Sequence, residues 1–164
     1  MPCAFGNGSV WIRETQSDDS ERQVSMQTST PSQGLKTPVP SQPSRILIAD
    51  DNSKAIELLE AYLAGGDWEV RTAADGEETL NQVKAWQPDL ILLDIMMPRI
   101  SGFEVCKRLR ADPATRAIAV LMITALDQRS DVDRAVEAGT DDFLTKPINK
   151  SDLLLRVRAL LQSQ

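Results

Sequence analysis

Three short apolar runs, each followed at once by polar residues, limit the folds open to this chain more than any other feature. The runs cover residues 45–49, 90–93 and 119–123. A nearly continuous apolar run is typical of a parallel strand that helices cover on both faces. Because parallel strands need long crossover connections, which are commonly helices, the three runs predict an α/β domain.

Segments with a helical period separate the runs. Ser53 is the predicted N-cap of the first helix, and Gly139 closes the fourth. The apolar residues of the five predicted helices fall on one face of each: Ile56, Leu59 and Leu63; Leu80 and Val83; Phe103, Cys106 and Leu109; Val132, Ala135 and Val136; Leu153, Val157 and Leu160.

Two weaker strands complete the predicted sheet. In residues 68–72 charged side chains alternate with residues suited to a core, which indicates an edge strand, and a short strand covers Phe143 and Leu144. One edge-like strand beside three central ones fits the order 2-1-3-4-5 of a flavodoxin-like (βα)5 sheet, parallel and doubly wound.

The composition of the chain changes near Ser44. Residues 1–43 are rich in Ser, Thr, Pro and Gln and poor in large apolar residues, so we expect a disordered N-terminal extension before a domain at 44–164. The stretch Val10-Trp11-Ile12 is the one apolar cluster in the extension. We interpret it as part of a nonessential leader, with a docking motif or a strand fragment as alternatives.

Charge and residue content exclude several classes of function. The formal net charge of −6 disfavours binding to nucleic acid or to an anionic membrane. The apolar stretches are far shorter than the roughly 20 residues of a membrane span, so we expect a cytoplasmic protein. The 2 cysteines do not indicate a disulfide framework, and the absence of histidine excludes imidazole acid–base catalysis within this chain.

Polar residues that follow the predicted strands outline one candidate site. Asp50 and Asp51 follow the first run, Asp94 the second, Thr124 the third, and Lys146 the short fifth strand. The carboxyl ends of parallel strands meet at one edge of a sheet, so these residues are expected to share a crevice. Three carboxylates together repel one another at neutral pH. A divalent cation with oxygen ligands, Mg²⁺, is the expected counter-charge.

Four motifs in the order of the sequence resemble a known family. They are Asp50-Asp51-Asn52, Asp94-Ile95-Met96-Met97-Pro98 with Gly102, Thr124-Ala125, and Phe143-Leu144-Thr145-Lys146-Pro147. With helical spacers between them, the motifs resemble the receiver domain of two-component response regulators, of the chemotaxis-regulator type, over residues 45–161. Residues 92–98 and 123–127 are similar to receivers attached to diguanylate cyclases. No cyclase motif follows here, so cyclase activity is not expected.

The resemblance implies a phosphorylation site with a metal. Asp94 would be the phosphoacceptor and would take a phosphoryl group from a histidine kinase or a phosphotransfer protein. Asp51, Asp94 and the backbone carbonyl of Met96 would bind Mg²⁺, with Asp50 acting through water.

The resemblance also implies a conformational switch. Lys146 would pair first with Asp94 and then with the phosphoryl group, and the Lys146-Pro147 bond would be cis. Thr124 would move toward the phosphate, and Phe143 would fill the space that it leaves. Partner binding or homodimer formation would involve the fourth helix, the fifth strand and the fifth helix, here Arg129 to Glu137, Asp141-Asp142 and Arg156 to Arg158.

Three hypotheses on function follow from the sequence. The first is a phosphorylation-controlled binding module; its autodephosphorylation should be slow, because neither Met96 nor Leu126 can orient an attacking water. The second is a Mg²⁺-dependent phosphohydrolase of the haloacid dehalogenase type, which would need a general acid where the chain has Met96. The third is a scaffold with a vestigial site.

Overall fold

Five parallel strands form the sheet of this protein. The computed structural model describes residues 42–125 and 129–164. The strands run in the order β2-β1-β3-β4-β5, which confirms the predicted topology. Their bounds are β1 Ser44–Ala49, β2 Trp68–Ala73, β3 Leu90–Asp94, β4 Ala119–Thr124 and β5 Asp142–Thr145. The predicted disordered extension 1–43, its Val10-Trp11-Ile12 stretch and Leu126 lie outside the described residues, apart from the last two residues of the extension.

A helix follows each strand and covers one face of the sheet. The bounds are α1 Ser53–Leu63, α2 Gly76–Trp86, α3 Gly102–Ala111, α4 Arg129–Ala138 and α5 Lys150–Gln162. Helices α2, α3 and α4 form one apolar cluster with the face of the sheet that includes Leu47 and Ala49. Helices α1 and α5 form the other cluster with the opposite face. The sheet is therefore doubly wound, as the apolar runs predicted.

Strand burial follows from position in the sheet. All residues of β3 and β4 are buried, because helices cover both of their faces. In β2 the charged residues Glu69 and Arg71 are exposed and their neighbours are partly buried, as predicted for an edge strand.

Two details of the predicted helices are wrong. Asn52, not Ser53, caps α1, because its side-chain oxygen accepts from the Lys54 backbone N–H at 3.0 Å while its own backbone is extended. Val136 is 64% exposed, whereas Ala138 is buried. The inward face of α4 is thus formed by small residues, and a β-branched residue points away from the core.

The register of the sheet aligns the residues of the predicted site. Asp94 pairs with Ile123, and Thr124 pairs with Thr145, the residue before Lys146. The Asp50 backbone N–H donates to the Ala73 carbonyl at 3.1 Å, which continues β1 beyond its last residue. All four polar positions consequently lie at the carboxyl edge of the sheet. In the part of the chain that the structure describes, no helix has the length and apolar character needed to cross a membrane.

Candidate functional site

Three carboxylates cluster at the carboxyl edge of the sheet. One oxygen from each of Asp50, Asp51 and Asp94 lies within 4.8 Å of the others. Asp50 and Asp94 are only 2% and 6% exposed, whereas Asp51 faces solvent. Buried strands position the first two, and the three carboxylates lie together, as the sequence predicted.

Lys146 connects two of these carboxylates. Its ammonium nitrogen lies 2.9 Å from Oδ1 of Asp94 and 3.1 Å from Oδ2 of Asp50. The Lys146 backbone N–H donates to the Thr124 carbonyl at 2.7 Å, and the peptide bond to Pro147 is cis, as predicted. The backbone of β4 thus anchors the lysine where its side chain reaches across the sheet.

Among the residues that the structure describes, the charges of the site are not balanced. Burial raises the pKa of the Asp94 carboxyl above its usual value; Asp50 adds to this rise, and the hydrogen bonds from Lys146 and the Met96 N–H oppose it. Burial would lower the pKa of Lys146, but its contacts with Asp94 and Asp50 outweigh that effect and raise it. One ammonium group among three carboxylates leaves excess negative charge. Oxygen ligands with such a charge suit a small divalent cation.

Backbone N–H groups orient the two buried carboxylates. The Asn52 N–H donates to Oδ1 of Asp50 at 2.8 Å, and the Met96 N–H donates to Oδ2 of Asp94 at 2.9 Å. Sequence reasoning missed both contacts. Each is an i to i+2 bond of the Asx-turn type, so an aspartate at the end of a strand was the signal that could have predicted them.

Gly102 contacts the phosphoacceptor candidate through its backbone. A Cβ atom at Gly102 would overlap the carbonyl oxygen of Asp94, and its N–H donates to the Ile95 carbonyl at 3.0 Å. The glycine of the motif is therefore needed for close approach, because α3 begins directly against the end of β3.

Thr124 lies at the same edge, and Phe143 lies two residues before the end of β5. Thr124 is buried at the end of β4, and Phe143 is partly buried against the cluster of α2, α3 and α4. The Met96 side chain is 67% exposed, and its backbone N–H contacts the Asp94 carboxylate.

Charged residues of the predicted partner face pair within the chain. Arg156 donates to both carboxylate oxygens of Asp142, at 2.7 Å and 2.6 Å, and Arg110 donates to Asp141 at 2.7 Å. The hydrogen bonds that Arg156 donates to Asp142 raise the pKa of Arg156. Val136 and Leu155 are exposed on α4 and α5. The side chains of residues 129–131 lie outside the description.

Comparisons with known proteins agree with the geometry. The model of the response regulator receiver domain matches residues 46–158. The response regulator PleD of Caulobacter vibrioides is 50% identical over 117 residues, 71% of this chain and 26% of PleD. The DNA-binding dual master transcriptional regulator RpaA of Synechocystis is 45% identical over 118 residues, 72% of this chain and 49% of RpaA. The chain thus spans about a quarter and about half of these two relatives.

Solved structures share the fold. The receiver domain of the Francisella response regulator 1452 has a TM-score of 0.67 and 30% identity, and covers 74% of this chain and 98% of its own. The chemotaxis protein CheY4 of Vibrio cholerae has a TM-score of 0.68 and 28% identity, with coverage of 72% and 98%. The chain therefore belongs to the family of response regulator receiver domains of two-component systems.

Proposed function

We propose that this chain is a phosphorylation-controlled switch that accepts a phosphoryl group on Asp94 from a histidine kinase or a phosphotransfer protein. The observation that carries the proposal is the position of Lys146, whose ammonium group lies between Asp94 and Asp50 beside a third carboxylate. Membership in the receiver family supports it, because receiver domains act as regulatory phosphoacceptors.

For phosphoryl transfer, the protein mainly has to position the reacting groups and neutralise their negative charge. An oxygen of Asp94 forms a bond to phosphorus while the P–N bond of the donor phosphohistidine breaks. The departing imidazole nitrogen keeps the electron pair and takes up a proton from solvent. Lys146 then pairs with a phosphoryl oxygen instead of the Asp94 carboxylate, so that its charge stays compensated throughout.

The residues of the site fit Mg²⁺. Carboxylate oxygens are the ligands that this hard cation prefers, and here three carboxylates converge with excess negative charge. Asp51, Asp94 and the Met96 carbonyl would bind it, with Asp50 acting through water. When bound, Mg²⁺ offsets negative charge on both the nucleophile and the phosphoryl group.

The added phosphate would change the surface that partners read. The phosphoryl group carries about −1.5 to −2 charges and replaces the single negative charge of the Asp94 carboxylate, so the negative charge of the site increases. The hydroxyl of Thr124 donates to a phosphoryl oxygen, and Phe143 takes the space that Thr124 leaves. The face of α4, β5 and α5 then binds a downstream protein or a second copy of the chain with a different affinity.

Mass spectrometry after treatment with acetyl phosphate and Mg²⁺ tests the proposal. The wild-type chain is expected to gain one phosphoryl group, and Asp94→Asn none. EDTA should prevent the gain, and an Asp67→Asn variant, altered at an exposed loop residue, should be modified like wild type. An adduct that persists in Asp94→Asn refutes the assignment of the phosphoacceptor.

A further inference from the structure

Helix α2 begins in direct contact with the β3–α3 loop, residues 95–101. Gly76, the first residue of α2, is buried, and a Cβ atom there would overlap the Ile100 carbonyl oxygen. The same atom would lie 2.8 Å from Cβ of Ile100 and 3.0 Å from Cγ2 of Val105. Gly76 is not among the glycines with positive φ, so glycine is required here for close approach and not for its backbone conformation.

Arg99 holds the same loop from its outer side. Its guanidinium lies 3.3 Å from Oδ2 of Asp75 and 3.4 Å from Oε2 of Glu77, the residues that flank Gly76. Arg99 has a φ of +66°, a conformation that residues other than glycine seldom adopt. The loop thus meets the N-terminus of α2 through backbone packing and through two ion pairs.

Backbone contacts connect this support to the phosphoacceptor. The Ile100 N–H donates to the Pro98 carbonyl at 2.8 Å, and the Gly102 N–H donates to the Ile95 carbonyl at 3.0 Å. Met96 lies within the segment that the second bond closes, and its N–H donates to the Asp94 carboxylate. Gly102 limits the loop on one side, since it packs on the Asp94 carbonyl, and Gly76 limits it on the other. A displacement of Ile100 would therefore move the Met96 peptide.

We propose that Gly76 and Arg99 are positioning residues that fix the Met96 peptide relative to Asp94 and so set the affinity of the site for Mg²⁺. This inference rests on the proposed function, because it concerns the same metal site. Gly76 contributes by allowing α2 to approach Ile100, and Arg99 by holding the loop against Asp75 and Glu77. Neither side chain touches the metal or the phosphoryl group.

Titration of the full chain with MgCl₂, followed by the NMR shifts of the Met96 and Gly102 amides, tests the inference. Gly76→Ala is expected to weaken Mg²⁺ binding about tenfold or more, the loss that follows when the support of a metal ligand is removed. Arg99→Asn keeps a residue that tolerates positive φ but removes both ion pairs. It should weaken binding by about two- to fivefold, a smaller loss than in Gly76→Ala because the ion pairs are exposed.

Gly65→Ala is the matched control. Gly65 also has a positive φ, of +87°, but has open space around it, so alanine there strains the backbone without touching the loop. It should lower the urea midpoint and leave the Mg²⁺ dissociation constant as in wild type. If Gly65→Ala weakens Mg²⁺ binding as much as the loop variants do, general destabilisation explains the effect and the inference fails.

Wild-type affinity in Gly76→Ala would also overturn the inference, as would wild-type affinity in Arg99→Asn if Gly76→Ala does not fold. Failure of the wild-type chain to bind Mg²⁺ is a separate result that refutes the metal site of the proposed function itself. The phosphoryl transfer assay with Asp94→Asn does not depend on either positioning residue. The two failures are thus distinguishable.

Discussion

At the scale of single residues, Lys146 neutralises only part of the negative charge at the carboxyl edge of the sheet. Asp50 and Asp94 are both buried and both pair with its one ammonium group, and Asp51 stands beside them. A buried charge costs stability unless it is fully compensated. The site is therefore held in an unfavourable state that a bound cation would relieve.

Replacing Asp94 should stabilise the chain when Mg²⁺ is chelated. Asp94→Asn is expected to raise the free energy of unfolding at pH 7 by about 0.5–2 kcal/mol. This is the usual gain when a destabilising functional group is replaced. The pKa of Asp94 is raised by folding, so its protonated form favours the folded state. In wild type, the stability that protonated Asp94 contributes is therefore fully present below the ordinary pKa of aspartate. It is lost as the pH rises through the higher pKa that Asp94 has in the folded state.

Urea unfolding in EDTA at several pH values measures this effect. The difference between Asp94→Asn and wild type should be largest at neutral pH and should shrink as the solution becomes acidic. Asp67→Asn, at an exposed loop residue, should match wild type throughout. A difference that stays constant with pH would contradict the charge argument.

Met96 should make the phosphorylated chain long-lived. Its side chain is exposed next to Asp94 but has no group that orients water. Met96→Asn places an amide there and is expected to accelerate loss of the phosphoryl group about tenfold or more, because an attacking water is then positioned. Mass spectrometry after removal of acetyl phosphate measures the decay. Leu155→Asn, at an exposed residue of α5, is the control, and a wild-type lifetime of seconds would refute the prediction.

At the scale of elements, Arg110 connects α3 to the end of α4 and to the start of β4. Its guanidinium donates to the carbonyls of Gly139, Arg116 and Ile118 at 2.7, 3.0 and 2.8 Å, and to the carboxylate of Asp141 at 2.7 Å. The Asp141 carboxylate also accepts from the Val120 N–H at 2.7 Å. One side chain thus satisfies backbone groups of several segments.

Arg110→Met should destabilise the chain by about 1–3 kcal/mol, because methionine keeps the aliphatic stem but leaves these acceptors without their donor. Arg108→Met removes an exposed pair with Glu104 from the same helix and should cost less than about 0.5 kcal/mol. Urea midpoints give both values. Equal losses in the two variants would show that the carbonyl contacts of Arg110 contribute little.

Strands and helices were predictable where the pattern of apolar residues alone determines them. The apolar runs 90–93 and 119–123 became buried strands, and the residues after them met at one edge because parallel topology requires it. Val136 was mispredicted because helical period does not distinguish a core position from an exposed one on a short helix. The contacts of Gly76 and Arg99 were not predictable, since they depend on how two loops approach each other in space.

At the scale of the whole molecule, the described domain has two apolar clusters, one on each face of the sheet. Their members lie between Ile46 and Leu161, and the receiver family model matches 46–158. The clusters draw on all five helices and on strands at both faces. Most of the apolar surface of these elements is thus covered by other elements of the same domain, with Val136 and Leu155 as exposed exceptions.

A chain of residues 42–164 should therefore fold and function without the preceding segment. We expect its Tm to lie within about 2 °C of the full chain, because a larger change would require a loss of roughly 1 kcal/mol or more in a protein of this size. Phosphorylation by acetyl phosphate and Mg²⁺ should reach the same extent in both chains. Differential scanning calorimetry and mass spectrometry give the two comparisons. A markedly lower Tm for the shortened chain would mean that residues 1–41 pack on the domain, and a normal Tm with reduced phosphorylation would mean that they act on the site itself.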